Sequence, residues 1–346
     1  MDLTSTSIPI HDSSQVAGGR RLAHACAESL GFGDEAAARA ALVATELGTN
    51  LLKHASGGEL IVRPVSDASS LGEVELLALD RGPGMDNWRA CLVDGYTTSS
   101  SPGTGLGAVA RASRLFDVFS SNGKGTIAFA RVGPDGRSVP AETAHLEVGA
   151  ICVALHGEPE CGDAWTFKRR NGTIRFLVAD GLGHGIAAAA ASHAAVDLFD
   201  RLEALPPHEV MTRIHGGIRH TRGAAAAAVE LDASKRELRY CGVGNISAVI
   251  FSPAGGRHLV SHNGTVGHEV RRIQEMTYPW PDDGVLVLHS DGIATHWKIE
   301  DYPGLTTRHP SLIAAALYRD HRRTRDDATV IAVVAQPSST APGSVR

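Results

Sequence analysis

The chain has 346 residues, a formal net charge of −5 and 43% hydrophobic residues. At about 100–200 residues per domain, this length predicts two domains, each able to bury a core. The chain has no strongly basic run, which argues against nucleic acid and a membrane surface as partners. No apolar run reaches the ~18 residues of a membrane-spanning helix. The five cysteines are scattered without a C-x-x-C spacing, and the N-terminus lacks the pattern of a secretory signal. Both features favour a cytoplasmic protein.

Helices and strands alternate in the predicted first domain, residues 8–132. Residues 1–19 are polar, and we expect them to be loosely built, with room for one short edge strand. The helices are predicted at 20–30, 34–55 and 106–115, with Asp34 as the N-cap of the second. The strands are predicted at 59–65, 73–79, 116–120 and 126–131, the last two joined by a turn at Asn122-Gly123.

A polar segment with two prolines and two glycines, residues 133–143, predicts a linker to a second domain at 144–335. Strands and helices there come partly in blocks, which is typical of an α+β sandwich. The strands are predicted at 165–169, 173–179, 224–231, 237–243, 248–251, 285–288 and 328–334. The helices are predicted at 185–202, 208–219 and 311–320. We expect a disordered tail over 336–346.

Three motifs in the first domain predict a nucleotide site. The first places a carboxylate, an amide and an imidazole on one helix face, the second follows an apolar strand, and the third is a glycine loop that opens a helix. Free N–H groups at a helix start bind phosphate. Alone, each motif also fits a simpler interpretation as a solvated face, a tight turn or an ordinary glycine loop. The motifs are Glu46/Asn50/His54, Asp80-Arg81-Gly82-Pro83-Gly84 and Gly103-Thr104-Gly105-Leu106-Gly107.

In this order and spacing, the motifs resemble the GHKL ATPase family over about residues 8–131. Within it they are similar to the RsbT-like switch kinases, the small anti-sigma-factor-type serine kinases. The resemblance implies a Bergerat α/β sandwich that binds ATP and Mg²⁺. Asn50 would hold the metal, Glu46 would be the general base, and Asp80 would accept a hydrogen bond from the adenine amino group. The other cofactor-binding positions implied are Gly82, Gly84, Gly103, Thr104, Gly105, Leu106, Gly107 and Thr126.

Aspartates in the second domain stand at the ends of apolar strands, mostly beside glycine. An isolated buried carboxylate is costly, so several that converge predict a site for hard divalent cations. A single Asp-Gly is also a common turn, and we expect only a turn at Asp282-Asp283-Gly284. The motifs are Gly162-Asp163, Asp180-Gly181-Leu182-Gly183-His184-Gly185, Ser290-Asp291-Gly292 and Asp326-Asp327-Ala328-Thr329.

This pattern resembles the SpoIIE-like branch of the metal-dependent (PPM) serine/threonine phosphatases, with RsbX-like members as the nearest group, over about residues 145–335. The resemblance implies an α-β-β-α sandwich with two Mn²⁺ or Mg²⁺ ions. Its ligands would be Asp163, Asp180 and the Gly181 carbonyl for one ion, and Asp180, Asp291 and Asp326 for the other, with Asp327 as the alternative to Asp326.

The predicted phosphatase site has two further features, a histidine and a small number of basic residues. His184 is a candidate to protonate the leaving alkoxide, and a histidine packed at a helix start is the alternative. Few basic residues lie near the acidic motifs in sequence, so we expect the metals to carry phosphate recognition.

Together, these features predict a bifunctional serine/threonine kinase and metal-dependent phosphoprotein phosphatase. The expected substrates are STAS-domain regulators in a stress or sigma-factor partner-switching pathway. The alternative is a nucleotide-gated binding module that contacts a STAS protein or a sigma factor and regulates the phosphatase without efficient phosphoryl transfer. A gyrase- or chaperone-type ATPase is disfavoured, because a phosphatase-like domain follows where a transducer domain would stand. The oligomeric state stays open.

Overall fold

The computed structural model describes residues 3–65, 72–92, 105–134, 146–170 and 172–335. The chain divides into two compact units, Met1–Val139 and Pro140–Arg346. Most of the predicted linker and all of the predicted tail lie outside the described residues. Within the described ranges, no helix has the length and apolarity needed to cross a bilayer.

The first unit is a two-layer arrangement of helices on one antiparallel sheet. Its helices are α1 (Ser13–Ser29), α2 (Asp34–Ala55) and α3 (Gly105–Ala112). Its strands are β1 (Thr6–Ile10), β2 (Gly58–Val65), β3 (Glu73–Leu79), β4 (Leu115–Ser120) and β5 (Thr126–Val132). They lie in the order β1-β2-β3-β5-β4. Alternate strand residues pack against the alanine-rich faces of α1 and α2 and form one core.

A row of charges crosses the other face of that sheet. Glu75 on β3 has Arg63 of β2 and Arg131 of β5 as its register partners. One carboxylate oxygen accepts from Arg63 Nε at 2.7 Å, and the other accepts from Arg131 Nη2 at 2.7 Å. Since a buried carboxylate is tolerated only when it is paired and hydrogen-bonded, this row favours one register of β2, β3 and β5.

The beginning of the chain is better ordered than the sequence predicted. Helix α1 starts at Ser13 rather than at residue 20, because Asp12 caps it. Asp12 Oδ1 accepts from the amides of Ser14 and Gln15 at 2.7 and 3.1 Å. Gln15 Oε1 accepts from the Asp12 amide at 3.1 Å in return. This capping box satisfies N–H groups that a helix start leaves unpaired, and the prediction of a loosely built segment was wrong here.

The remaining elements of the first unit agree with the prediction, except at their ends. Asp34 is the first residue of α2 and not its N-cap; Gly33 occupies that position without a side-chain hydrogen bond. Helix α3 ends at Ala112 rather than at 115, because Leu115 already begins β4. The edge strand expected near the N-terminus is β1.

The second unit contains eleven strands and three helices in its described residues. The helices are α4 (Ile186–Arg201), α5 (Pro207–Gly217) and α6 (Pro310–His321). The strands are β6 (Leu146–Val153), β7 (Asp163–Arg170), β8 (Thr173–Gly181), β9 (Ala224–Asp232), β10 (Glu237–Val243), β11 (Ser247–Ser252), β12 (Gly255–His258), β13 (Ser261–His262), β14 (Met276–Pro279), β15 (Val285–His289) and β16 (Ala328–Ala335).

These strands form two sheets between helical layers. One sheet has the order β13-β10-β9-β8-β7, with β14 paired to β10, and the other has the order β12-β11-β15-β16-β6. Helices α4 and α5 pack on the first sheet, and α6 packs on β6 and β16 of the second. Strands β6 and β16 also contact β7, which joins the inner faces of the sheets. The unit is therefore an α-β-β-α sandwich, as predicted.

Strand β6 was not among the predicted strands, although it pairs with β16 along its whole length. Gly149 interrupts its apolar pattern, and glycine in a strand interior weakens a strand prediction. The structure explains this glycine, because a Cβ at position 149 would lie 2.0 Å from the Ser311 amide nitrogen. The α6 backbone thus approaches β6 at a point that only glycine permits.

The capping box gives the first prediction. Replacing Asp12 with alanine should lower the free energy of opening of α1 by about 1 kcal/mol, because two amides lose their acceptor. Asp34→Ala is the matched control; it should change the opening of α2 by less than about 0.5 kcal/mol. Hydrogen exchange of peptides from α1 and α2 measures both. Equal effects of the two substitutions would contradict the assigned cap.

Candidate functional site

The aspartates predicted in the second unit lie at neighbouring strand ends. Asp163 begins β7, Asp180 lies near the end of β8, and the two are direct register partners. In the other sheet, Asp291 follows β15, and Asp326 precedes the adjacent strand β16. Ser290 links the two sheets, since its Oγ donates to Asp163 Oδ2 at 2.7 Å. The fold therefore brings together acidic groups that are more than a hundred residues apart in sequence.

Close backbone packing brings these strand ends together. A Cβ at Gly181 would lie 2.0 Å from the Ala188 carbonyl oxygen, and a Cβ at Gly292 would lie 1.8 Å from the Asp327 carbonyl oxygen. Real Cβ atoms do not approach so closely, so the glycines of the Asp-Gly pairs are required by packing. Both glycines stand directly after an aspartate of the cluster.

The carboxyl groups of this cluster are short of compensating charge. Burial raises the pKa of Asp180 to about 9, and the neighbouring carboxylates of Asp163 and Asp291 add to the effect. Burial also raises the pKa of Asp163 to about 7 and that of Asp326 to about 6. Among the described residues, no lysine or arginine forms an ion pair with these side chains. The protein alone therefore disfavours their simultaneous ionisation.

Asp326 and Asp327 occupy different environments. Asp327 is buried, and its Oδ1 accepts from the Leu155 amide at 2.8 Å. Asp326 is partly exposed and lies within hydrogen-bonding distance of Asp291, whose Oδ2 accepts from Asn245 Nδ2 at 2.6 Å. Asp326 thus faces the other acids, while Asp327 anchors the chain near β6. This geometry favours Asp326 where the sequence left the two aspartates as alternatives.

The donor set fits a divalent cation. Within the described ranges, no three His, Cys, Asp or Glu side chains already surround one point as ligands. Asp163, Asp180, Asp291 and Asp326 nevertheless supply oxygen donors whose negative charge no lysine or arginine in the described ranges balances. Oxygen ligands with uncompensated negative charge are what hard divalent cations prefer.

His184 lies on the Asp180–Gly185 loop beside this cluster. Its Nδ1 is 2.7 Å from Glu158 Oε1, and its side chain is 57% exposed. It is therefore not packed at the start of α4. A carboxylate that contacts Nδ1 fixes the orientation of the ring.

Sequence reasoning missed one basic residue beside that loop. The Arg222 guanidinium lies 3.4 Å from the position that a Cβ of Gly183 would occupy. Arg222 is far from Gly183 in sequence, but it precedes β9, which pairs with β8. If the sequence had predicted the antiparallel pairing of β8 with β9, it would have placed Arg222 beside the loop that follows β8.

In the first unit, the helix-face motif lies beside the glycine loop. A Cβ at Gly105 would lie 3.3 Å from Asn50 Oδ1 and 3.5 Å from Glu46 Oε2. Glycine here leaves the space next to these two side chains open. His54 is exposed, Leu106 is partly buried and Gly107 is buried. Gly103, Thr104 and the expected lid at 97–102 lie outside the described residues.

The strand-end motif lies at the C-terminal end of α2. Asp80 Oδ1 accepts from the amides of Gly82 and Thr126 at 2.8 and 3.0 Å. A Cβ at Gly82 would lie 2.9 Å from Ala55 Cα, and one at Gly84 would lie 2.1 Å from the Ser121 carbonyl oxygen. The structure therefore brings Asp80, Gly82 and Thr126 together, and both motif groups lie along α2.

Three comparisons with known proteins match parts of this chain. The family model of stage II sporulation protein E (SpoIIE) matches residues 170–336. The phosphoserine phosphatase RsbX of Bacillus subtilis is 25% identical over 153 residues, which are 44% of this chain and 77% of RsbX. The serine/threonine-protein kinase RsbT of the same organism is 35% identical over 107 residues, which are 31% of this chain and 80% of RsbT. By the relationship to RsbT the chain belongs to the RsbT family, and its residues 170–336 are similar to SpoIIE.

Solved structures extend the comparison. A chain from work on the bacterial stressosome, described as a modular system adapted to control secondary messenger signalling, has a TM-score of 0.52 and 28% identity. The match covers 55% of this chain and 99% of that one. RsbX in complex with magnesium has a TM-score of 0.49 and 22% identity, over 57% of this chain and 98% of that one. The SpoIIE match lies within the second unit, and the chain is also similar to the phosphatase RsbX and the kinase RsbT.

The raised pKa values predict how metal-free protein responds to pH. Carboxyl groups with a raised pKa in the folded state stabilise it fully below their unfolded pKa of about 4. They lose that contribution as pH rises through about 6 for Asp326, 7 for Asp163 and 9 for Asp180. In the presence of a chelator, raising the pH from 5 to 9 should therefore lower the thermal unfolding midpoint of the second unit. This decrease should be larger in the wild type than in Asp180→Asn.

Divalent cations should reverse this loss. Mn²⁺ at about 100 times its dissociation constant at pH 8 adds about 2.7 kcal/mol to stability. The same Mn²⁺ concentration should add less at pH 5, because protonated carboxyl groups bind the cation more weakly. Thermal unfolding in chelator and in Mn²⁺ gives both quantities. The same pH response in wild type and Asp180→Asn would count against the acidic cluster.

Proposed function

We propose that the second unit removes phosphate from serine or threonine of a regulatory protein with the help of two divalent cations. The observation that carries this proposal is the convergence of Asp163, Asp180, Asp291 and Asp326 without a basic partner among the described residues. The relationships to SpoIIE and RsbX support it. The first unit, by its likeness to RsbT, is proposed to be an ATP-dependent serine/threonine kinase domain.

The proposed metal ligands lie at or beside the ends of β7, β8, β15 and β16. Asp163, Asp180 and the Gly181 carbonyl would hold one Mn²⁺ or Mg²⁺ ion, and Asp180, Asp291 and Asp326 would hold the other. The relative RsbX has been solved with magnesium. A pair of such ions lowers the pKa of water and neutralises phosphate charge. Within the protein, Ser290 orients Asp163 and Asn245 orients Asp291, through the hydrogen bonds at 2.7 and 2.6 Å.

His184 is the proposed proton donor for the leaving serine alkoxide. Glu158, at 2.7 Å from Nδ1, orients the ring. Because Nδ1 faces Glu158, Nε2 would be the ring nitrogen that gives the proton to the alkoxide. The exposed position of His184 on the loop after Asp180 is compatible with contact to a bound substrate.

The proposed kinase roles follow the positions along α2. Glu46 would accept the proton of the acceptor hydroxyl, and Asn50 would hold Mg²⁺. Asp80 would recognise adenine, and the start of α3 at Gly105 would lie against the phosphates. The open space that Gly105 leaves beside Asn50 and Glu46 supports this arrangement. The remaining proposed nucleotide contacts are Gly82, Gly84, Gly103, Thr104, Leu106, Gly107 and Thr126.

The proposed substrate of both activities is a STAS-domain regulator of a sigma-factor pathway. The chain is related to the serine/threonine-protein kinase RsbT and to the phosphoserine phosphatase RsbX, both from one organism. A kinase and a phosphatase that acted on the same substrate residue would together only hydrolyse ATP. We therefore propose that they act on different residues, or that a bound partner activates one of them at a time.

Substitutions at the aspartates test the phosphatase. Asp326→Asn should lower hydrolysis of p-nitrophenyl phosphate in Mn²⁺ by about 100-fold or more, because a metal ligand loses its charge. Asp327→Asn should lower it by less than about tenfold, because an amide oxygen can still accept from the Leu155 amide. Asp282→Asn, in an exposed turn with an ion pair to Arg236, is the matched control and should be neutral. A reversed order of Asp326→Asn and Asp327→Asn would refute the ligand assignment.

Substitution of Glu46 tests the kinase. In the Asp180→Asn background, which removes the phosphatase, label from γ-labelled ATP should appear on a STAS-domain protein of the same cell. Glu46→Gln should reduce this transfer by about 100-fold and leave ATP binding within about twofold. Glu35→Gln, an exposed glutamate on the same helix, is the control. If no label appears with intact Glu46 although ATP binds, the first unit is a nucleotide-gated binding module.

A further inference from the structure

A cleft of about 900 Å³ opens beside the Asp180–Gly185 loop. One wall comes from this loop and the first half of α4, and the other comes from the segments before β9 and after β13. The lining residues that matter here are Leu182, Ala187, Ala190, His220, Arg222 and His268. The proposed catalytic roles above use none of them.

The pairing of β8 with β9 places the cleft next to the acidic cluster. Asp180 is the register partner of Ala225, and Gly181 is the partner of Ala224. The Leu182 amide continues this pairing by donating to the Gly223 carbonyl at 3.0 Å. Beyond that point, Arg222 lies beside Gly183. The cleft therefore begins at Leu182, two residues after Asp180.

One wall of the cleft is apolar and exposed. Leu182 is 53% exposed, although it is a large apolar side chain. Ala187 and Ala190 extend this surface along α4. Exposed apolar surface in a concave site is typical of binding regions.

The other wall is basic. Arg222 and the two histidines, His220 and His268, are exposed, and no carboxylate among the described residues forms an ion pair with Arg222. His268 Nε2 lies 3.0 Å from the Thr221 carbonyl oxygen, a contact that holds this ring at the edge of the cleft. Arg222 therefore offers an exposed cation next to a cluster of acids, where an acidic ligand would otherwise be repelled.

We propose that this cleft binds the segment of the phosphoprotein substrate that flanks the phosphoserine. An apolar side chain of that segment packs on Leu182 and Ala190, and an acidic side chain pairs with Arg222. The complementary charge and the adjacency to Asp180 favour this occupant. The inference rests on the proposed phosphatase function and names the sequence preference of that site.

Binding and hydrolysis are measured separately. Three labelled phosphoserine peptides of equal length carry Leu and Glu, Leu and Lys, or Ala and Gln beside the phosphoserine. In chelator, which prevents turnover, fluorescence anisotropy should show about tenfold tighter binding of the Leu-Glu peptide than of the other two. Arg222→Glu should reverse the preference between Glu and Lys. Arg213→Glu makes the same charge change at an exposed position of α5, and it should leave the preference between Glu and Lys unchanged.

Hydrolysis of p-nitrophenyl phosphate in Mn²⁺ completes the test. This small substrate has no flanking segment, so Arg222→Glu should leave its turnover within about twofold. An equal loss on this substrate and on the peptides would show that Arg222 acts on the phosphoryl group, and it would overturn the docking proposal. Unchanged peptide preference in Arg222→Glu would overturn it as well. If selective binding depends on Arg222 while wild type hydrolyses nothing, only the phosphatase assignment fails.

Discussion

Repulsion between like charges at the strand ends of the second unit is the constraint on which its functional site depends. Asp163, Asp180, Asp291 and Asp326 converge, and burial together with their mutual repulsion raises the pKa values of three of them. When its carboxyl groups are ionised, such a cluster destabilises the folded protein. The arrangement makes physical sense when divalent cations supply the missing positive charge, and that requirement links the fold to phosphate chemistry.

The fold sustains this repulsion through rigid backbone contacts around the cluster. Register pairing sets Asp163 opposite Asp180, and Ser290 bonds across to Asp163 from the other sheet. The first unit handles a buried acid differently, because Glu75 is balanced by Arg63 and Arg131 in the same sheet. The protein itself neutralises the charge of Glu75, so Glu75 has a structural role. The negative charge of the aspartate cluster in the second unit is not balanced by the protein, as a site for a positively charged cofactor requires.

Much of this was predictable from local sequence. Asp-Gly pairs after apolar strands marked the acidic cluster, and the periodicity of residues 34–55 predicted α2. Features that depend on distant contacts were not predictable. Gly149 hid β6 because its reason is the packing of α6, and Arg222 joins the loop after Asp180 only through the β8–β9 register. The choice between Asp326 and Asp327 likewise depended on the Leu155 amide.

The most direct test is a crystal structure of the protein grown with Mn²⁺, with anomalous scattering recorded at the manganese edge. The account predicts two anomalous peaks about 3.5–4 Å apart, both next to Asp180, with Asp163 at one peak and with Asp291 and Asp326 at the other. Asp327 should keep its bond to the Leu155 amide. A map without manganese between these strand ends, or with the ion held elsewhere, would contradict the central claim.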